Sequence, residues 1–259
     1  MVHWGVAIWA AVLLGLVQGL TEFLPVSSSG HLMLFQRIIG LPDNMLLFDI
    51  LLHVATLAAV CIVFRRKLWD LITHPLCKTN ICLVIATAIS CALVLVFKGL
   101  IDKVTYRALP FTFLITAVIL LGITFYKPKA TVPDVTYKTA IFAGVMQGAA
   151  GFAGISRSGS TIAGAVLSGV DRRAAAEFSF ILSIPIIIAS FVFELISTGG
   201  GGLGNVGFWA IFLGCLTAFG SGLLAVKFMI KLIENVKLYW FSIYLGVLSA
   251  VLFVMWWVI

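Results

Sequence analysis

Residues 15–31 read GLVQGLTEFLPVSSSGH, and residues 144–160 read GVMQGAAGFAGISRSGS. The two stretches align without a gap and share seven identical pairs: Gly15/Gly144, Gln18/Gln147, Gly19/Gly148, Phe23/Phe152, Ser27/Ser156, Ser29/Ser158 and Gly30/Gly159. They differ in ionisable side chains, because the first carries Glu22 and His31, whereas the second carries Arg157 opposite Ser28. The duplication predicts an internal repeat whose two polar loops complement each other at one binding site.

The composition around these motifs is that of an integral membrane protein. The chain is 62% hydrophobic and 10% charged, with a mean hydropathy of +1.16, whereas about a quarter of the residues in soluble domains are charged. Six continuous apolar segments approach the ~20 residues of helix that cross a bilayer. We predict an all-α polytopic fold with spans at 46–64, 79–97, 110–126, 177–196, 207–229 and 238–258.

The motifs themselves lie between apolar segments that are too short to span. Residues 5–17 and 32–41 flank SSSG, and residues 139–150 and 161–170 flank SRSG. Apolar runs of ~10–14 residues favour re-entrant helical hairpins, whose unwound tips are tolerated where they line a cavity. Since three spans separate the hairpins, the second unit enters from the opposite face. The prediction is one integral membrane domain, 1–259, built from a repeat at 1–126 and an inverted repeat at 138–259.

The orientation is predicted from the distribution of basic residues. The loop at 197–206 has no charge, and placing it outside puts twelve basic residues inside and four outside, as the positive-inside rule expects. The inner set is Arg65, Arg66, Lys67, Lys78, Lys127, Lys129, Lys138, Arg172, Arg173, Lys227, Lys231 and Lys237. Both termini are then expected outside. The sequence contains no soluble domain with a basic stripe, so a nucleic-acid partner is not expected.

The first motif offers groups for acid–base, nucleophilic or metal chemistry. Gln18 and Glu22 are one helical turn apart and share a face, and Glu22 is a candidate base or ligand of a divalent cation, with Gln18 beside it. The alternative for Glu22 is a buried carboxyl neutralised by Arg157. Ser27 and Ser28 are candidate nucleophiles with His31 as a nearby base, although a serine here could simply cap the next helix.

The second motif is suited to binding an anion. Arg157 can grip two phosphate oxygens and keeps its charge, and flanking glycines let backbone approach a ligand. The alternative role for Arg157 is a counter-ion to Glu22. The residues expected to line a substrate site are Gln18, Ser29, Gly30, Ser156, Ser158 and Gly159.

Asp49 and His53 are a further pair, four residues apart on the first span. They are interpreted either as a pair that orients groups of the site or as an ordinary buried Asp–His hydrogen bond. A carboxylate, serines, a histidine and an arginine together suit phosphoryl transfer. Their depth in the bilayer favours a substrate with a lipid tail and a phosphate head.

QGLTEFLPVSSSGH at 18–31, GISRSG at 154–159 and FSFILSIP at 178–185 resemble the undecaprenyl-diphosphate phosphatase family, also called the bacitracin-resistance family. The resemblance implies a bacterial inner-membrane enzyme that converts undecaprenyl diphosphate to undecaprenyl phosphate for peptidoglycan synthesis. It also implies a divalent cation, Mg²⁺ or Ca²⁺, and competition with bacitracin for the lipid. The implied catalytic residues are Glu22, Ser27 or Ser28, His31 and Arg157.

Two positions depart from the family pattern. Gln18 stands where many members carry a second glutamate, so the acid–base work is expected of Glu22 and His31. Ala153 stands where a proline is usual, which removes one rigid φ angle. The alternative function is a transporter of lipid phosphate or another anion that uses the same loops only for binding. A third reading is a phosphatase with broad lipid specificity. A homodimer is a further expectation.

Overall fold

The computed structural model describes residues 7–41, 45–126, 132, 134–198, 206–235 and 238–258. Within these ranges the protein is helical, and the one β-type contact is an isolated bridge between Val132 and Val170. The helices are α1 Ile8–Phe23, α2 Ser28–Ile39, α3 Leu46–Val63, α4 Arg65–Thr73, α5 Lys78–Ile101, α6 Leu109–Phe125, α7 Tyr137–Ala149, α8 Arg157–Leu167, α9 Arg172–Thr198, α10 Phe208–Asn235 and α11 Tyr239–Val258. The all-α prediction is confirmed.

The six predicted spans coincide with α3, α5, α6, α9, α10 and α11. Each is long and apolar enough to cross a membrane, α6 together with the 3₁₀ turn Tyr106–Ala108 that precedes it. The observed α9 begins at Arg172 rather than near 177, and α5 continues to Ile101. Each extension contains basic residues, Arg172 and Arg173 in α9 and Lys98 in α5, and a span predicted from hydropathy ends at such charges. The short helix α4 was not predicted, because its nine residues include four charged side chains and no apolar run.

The motif helices are shorter than the spans. The longest of them, α1, has 16 residues, which corresponds to about 24 Å of helix against about 30 Å of hydrocarbon. It extends beyond the apolar segment 5–17 and ends at Phe23, so that Gln18 and Glu22 lie within it, as their predicted shared face requires. Similarly, α2 begins at Ser28 and α8 at Arg157, which places both motif loops at helix N-termini. That these helix pairs enter and leave by one face stays a prediction.

The helices of the two halves pack on each other reciprocally. The first motif helix α1 packs along α10, and the second motif helix α7 packs along α5. In addition, α3 contacts α9 and α6 contacts α11. Matching contacts of this kind are what a pseudo-two-fold axis between two repeats produces, but the boundaries 1–126 and 138–259 stay predictions. The exchange carries both motif loops to the centre of the molecule.

Glycine allows the close approach of α1 to α10. A Cβ on Gly15 would collide with the carbonyl group of Gly214 on α10, and one on Gly19 would collide with Ser221 and the backbone of Ala218. The second half repeats this feature, since a Cβ on Gly144 of α7 would meet the backbone of Ala86 on α5. Small residues of this kind let membrane helices pack backbone to backbone.

We therefore expect Gly15→Ala to destabilise the folded protein by about 1–3 kcal/mol, because the obstacle is backbone that cannot rotate away. Gly220→Ala is the matched control, because Gly220 lies on α10 with open space around it and alanine is the better helix former. Thermal unfolding in detergent measures both changes. Equal midpoints for the two variants would contradict the packing argument.

The sidedness of the protein stays a prediction. Residues 199–205 of the uncharged loop lie outside the described residues, as do Lys127, Lys129 and Lys237. The short helix α4 carries exposed Arg65, Arg66 and Lys67, all of which belong to the predicted inner set. Lys67 of α4 also forms an ion pair with Glu177 of α9, with Nζ 2.8 Å from Oε2.

Candidate active site

Glu22 is the centre of the candidate site. It lies in the last turn of α1, and its side chain is 2% exposed. Gln18, one turn earlier, donates from Nε2 to Oε2 of Glu22 at 2.9 Å, which confirms that the two side chains share a helix face. The Oε1 atom of Gln18 is buried and has no hydrogen-bond partner within the described residues.

Ser28 is the serine that contacts the Glu22 carboxylate directly. Its Oγ donates to Oε2 of Glu22 at 2.5 Å. An ionised carboxylate that accepts a hydroxyl proton in this way is positioned as a general base for that oxygen. The two partners lie six residues apart, on either side of the turn between α1 and α2.

Ser27 has a different position and a strained backbone. It adopts φ 70°, the one positive φ outside glycine among the described residues, and such strain is often concentrated at functional sites. Its Oγ accepts from the backbone N–H of Gly30 at 3.4 Å and lies 3.4 Å from Oγ of Ser29. Ser27 is therefore the N-cap of α2, and its turn directs Ser28 toward Glu22. Position 30 has no room for a side chain, since a Cβ on Gly30 would meet Phe113 and Gly154.

Arg157 brings the second motif to the same carboxylate. Its Nη2 donates to Oε1 of Glu22, across 135 positions of sequence. The predicted counter-ion role is thus observed, and it leaves part of the guanidinium free, because Nη1 is buried and has no hydrogen-bond partner in the described parts of the chain. A buried, unpaired donor beside two serine-rich helix N-termini suits an anionic ligand.

The remaining residues of the second motif hold its loop in place. Ser156 accepts from Gly159 N–H at 3.1 Å as the N-cap of α8, and its own N–H donates to Thr116 Oγ1. Ser158 donates to the carbonyl oxygen of Leu24 at 3.1 Å, which ties α8 to the end of α1. These hydroxyls bind protein groups, so Ser156 and Ser158 shape the site around Arg157. Their predicted substrate contacts stay predictions.

His31 does not contact a serine hydroxyl through either ring nitrogen. Nδ1 lies 2.8 Å from the carbonyl oxygen of Ser27, and Nε2 lies 2.7 Å from the hydroxyl of Tyr244 on α11. The reason is helical geometry, since His31 is one turn beyond Ser27, and both its backbone N–H and its ring reach the Ser27 carbonyl. Tyr244 was missed by the sequence analysis, because an isolated tyrosine in an apolar span carries no motif.

Asp49 and His53 contact each other as predicted, but through the backbone oxygen of Asp49 and not through its carboxylate. His53 Nδ1 lies 2.7 Å from the backbone oxygen of Asp49, whereas the Asp49 carboxylate accepts from Gln36 Nε2 at 2.7 Å. His53 Nε2 instead lies 3.4 Å from Oε2 of Glu22. His53 thus belongs to the site, and it approaches Glu22 from α3.

The site residues alone do not fit a resident metal ion. No group of three or more His, Cys, Asp or Glu side chains that could hold a metal occurs in the described ranges. Both oxygens of Glu22 already accept from Arg157, Ser28 or Gln18. Among the described residues, the buried acceptor at the site without a partner is Gln18 Oε1, and one amide oxygen is too little for a protein-only Ca²⁺ site, whereas Mg²⁺ commonly takes most of its ligands from water and substrate phosphates.

Comparison with known proteins agrees with the motif-based expectation. A family model described as bacitracin resistance protein BacA matches residues 11–251. An undecaprenyl-diphosphatase of Treponema denticola is 39% identical over 97% of this chain and 98% of its own length. One of Carboxydothermus hydrogenoformans is 41% identical, over 95% and 96% respectively. With a matching model over almost the whole chain and relatives of the same length, this protein belongs to the BacA bacitracin-resistance family.

Proposed function

We propose that this membrane protein is an enzyme that hydrolyses undecaprenyl diphosphate to undecaprenyl phosphate and inorganic phosphate. The observation that carries the proposal is the hydrogen bond from Ser28 Oγ to Glu22, made beside an arginine that arrives from the other motif. Nucleophile, base and anion-binding group are thus within one site, as phosphoryl transfer requires. The family and the names of the relatives support the same activity.

The proposed mechanism assigns one role to each contact. Arg157 binds oxygens of the terminal phosphate through its free Nη1, and Glu22 accepts the proton of Ser28 as Oγ attacks the terminal phosphorus. The P–O bond to the lipid phosphate breaks, and undecaprenyl phosphate leaves. Glu22 gives that proton to the departing phosphate and is again a carboxylate. Water then attacks the phosphoserine, Glu22 takes a proton from the water and returns it to Ser28 Oγ, and inorganic phosphate is released. His31 holds the Ser27 turn that aims Ser28, since its ring is fixed between the Ser27 carbonyl and Tyr244.

A divalent cation is proposed to enter with the substrate. The diphosphate supplies the oxygen ligands that the protein lacks, as is usual for Mg²⁺ bound to phosphorylated substrates, and Mg²⁺ and Ca²⁺ are both candidates. Gln18 Oε1 is the protein oxygen still open to such an ion. The amide cannot act as a base, so the Gln18 departure from the family pattern leaves that role to Glu22.

The cellular setting is part of the proposal. We place the protein in the bacterial inner membrane with both termini and the mouth of the first motif on the outer side. There it recycles the carrier lipid for peptidoglycan and other envelope polymers. Bacitracin, which sequesters the same diphosphate lipid, competes with the enzyme for its substrate. A homodimer is consistent with this role but is not required by it.

Release of phosphate from undecaprenyl diphosphate by the purified protein in detergent tests the function. We expect inorganic phosphate and undecaprenyl phosphate in equal amounts with Mg²⁺ or Ca²⁺, and loss of both products with a chelator. Diphosphates with shorter prenyl or diacylglycerol tails distinguish a selective enzyme from a broad lipid phosphatase. Well-folded protein that releases no phosphate under any of these conditions would refute the proposal and favour the transporter.

A further inference from the structure

His53 contacts the proposed base from a direction that neither motif provides. It lies on α3, 22% exposed, with Nε2 3.4 Å from Oε2 of Glu22. The same carboxylate oxygen accepts from Ser28 Oγ at 2.5 Å and from Gln18 Nε2 at 2.9 Å. The other carboxylate oxygen is bound by Arg157. Glu22 is thus held from four sides, and His53 is the one partner that comes from the first predicted span.

The ring of His53 is fixed by its other nitrogen. Nδ1 lies 2.7 Å from the backbone oxygen of Asp49. A carbonyl oxygen can only accept, so Nδ1 carries a hydrogen and the ring orientation is set. Nε2 is thereby directed at Glu22. Because a carboxylate oxygen can only accept, Nε2 holds Glu22 when it too carries a hydrogen, and the contact is then an ion pair between imidazolium and carboxylate. Such an arrangement, with one ring nitrogen anchored on backbone and the other on a functional carboxylate, is how proteins orient reactive side chains.

The anchor of His53 is itself connected to the helix that carries Ser28. Asp49, the residue whose carbonyl holds the ring, accepts from Gln36 Nε2 on α2 at 2.7 Å through its carboxylate. One chain of contacts therefore runs from α2 through Gln36 and Asp49 to His53, and from there to Glu22. It links the helix of the proposed nucleophile to the proposed base without passing through the turn between them.

We propose that His53 is a positioning residue of the phosphatase site, which holds Oε2 of Glu22 in line with Ser28 Oγ. The proposal rests on the function proposed above. It assigns His53 no contact with the substrate, so that its removal slows the chemical step and leaves substrate binding intact. Glutamine is the conservative replacement, since its amide nitrogen can donate a hydrogen bond to Glu22 from a similar distance along the side chain.

The test compares kcat and KM of His53→Ala and His53→Gln with those of the wild type. Loss of this ion-pair partner of the proposed base should cost as much as a hydrogen bond to a charged group, about 10- to 100-fold, so we expect His53→Ala to lower kcat about 30-fold with KM almost unchanged. His53→Gln should recover kcat to within about threefold of the wild type. His74→Ala is the matched control and should keep the wild-type rate, because His74 is exposed on the far end of α4.

A Glu22→Asp background shows whether His53 acts through Glu22. Shortening the carboxylate by one methylene already withdraws it from His53, so adding His53→Ala should cost less than about threefold. If His53→Ala lowers kcat about 30-fold in this background as well, His53 does not act through Glu22 and the proposal is overturned. A higher KM with unchanged kcat would overturn it too. An active wild type with a fully active His53→Ala variant would also overturn it and leave the phosphatase function standing. An inactive wild type would count against that function itself.

Discussion

Glu22→Gln is expected to lower kcat by about 10³-fold, within the range of general-base catalysis, while the protein remains folded. The two side chains have the same shape, but the amide cannot accept the proton of Ser28. It also replaces one acceptor oxygen with an N–H₂ group, in a position where Arg157, Ser28 and Gln18 all donate. The variant is also expected to be less stable, because Arg157 is left buried without its counter-ion, so turnover is measured well below its unfolding midpoint.

Phosphate release by purified Glu22→Gln measures this effect, with elution from gel filtration as the check on folding. Glu177→Gln is the control, since Glu177 is a carboxylate of the same type that pairs with Lys67 on the predicted inner face, away from both motifs. It should retain the wild-type rate. Turnover of Glu22→Gln within about threefold of the wild type would remove Glu22 as the base.

Arg157→Lys is expected to lower kcat/KM by about 10²- to 10³-fold, as the loss of one preorganised donor to a developing charge commonly does. Arginine uses Nη2 for Glu22 and leaves Nη1 for the substrate. A lysine ammonium keeps the positive charge but is a single point, so it cannot serve both partners in the same geometry. KM should rise together with the loss in kcat, because the ground state and the transition state both use this contact.

Lysine is preferable to alanine at this position for a physical reason. Removing one partner of a buried ion pair costs about 3–5 kcal/mol, because Glu22 would remain buried without its cation. An inactive Arg157→Ala protein could therefore be inactive through misfolding. Arg66→Lys is the control, since Arg66 is exposed at the start of α4. Unchanged kcat/KM in Arg157→Lys would contradict the assignment of one arginine nitrogen to Glu22 and the other to the substrate.

Much of the fold could be predicted from the sequence, because bilayer thickness dictates the length of apolar runs. The six spans follow from that constraint alone. The end of α1 at Phe23 could not be predicted from hydropathy, since Gln18, Thr21 and Glu22 interrupt the apolar pattern there. These residues stay helical because Gly15 and Gly19 pack α1 tightly on α10, and that contact depends on residues some 200 positions later.

The candidate site could be predicted as a set of side chains but not as a set of contacts. The aligned motifs indicated that Glu22 and Arg157 belong together, because a duplicated loop places its unlike residues at one interface. The partners of the histidines could not be predicted, since His31 reaches Tyr244 and His53 reaches Glu22 through the packing of separate helices. The choice between Ser27 and Ser28 also required the backbone, because the positive φ of Ser27 decides which hydroxyl meets the carboxylate.

The central claim is that Ser28, activated by Glu22, attacks the terminal phosphate in a site completed by Arg157. The most direct measurement is a rapid-quench single turnover with undecaprenyl diphosphate labelled in its terminal phosphate. We predict acid-stable labelled protein that maps to Ser28, forms before inorganic phosphate and then decays as phosphate is released. Ser28→Ala should carry no label and release almost no phosphate. Phosphate release at the wild-type rate by Ser28→Ala, without labelled protein at any time, would contradict the account.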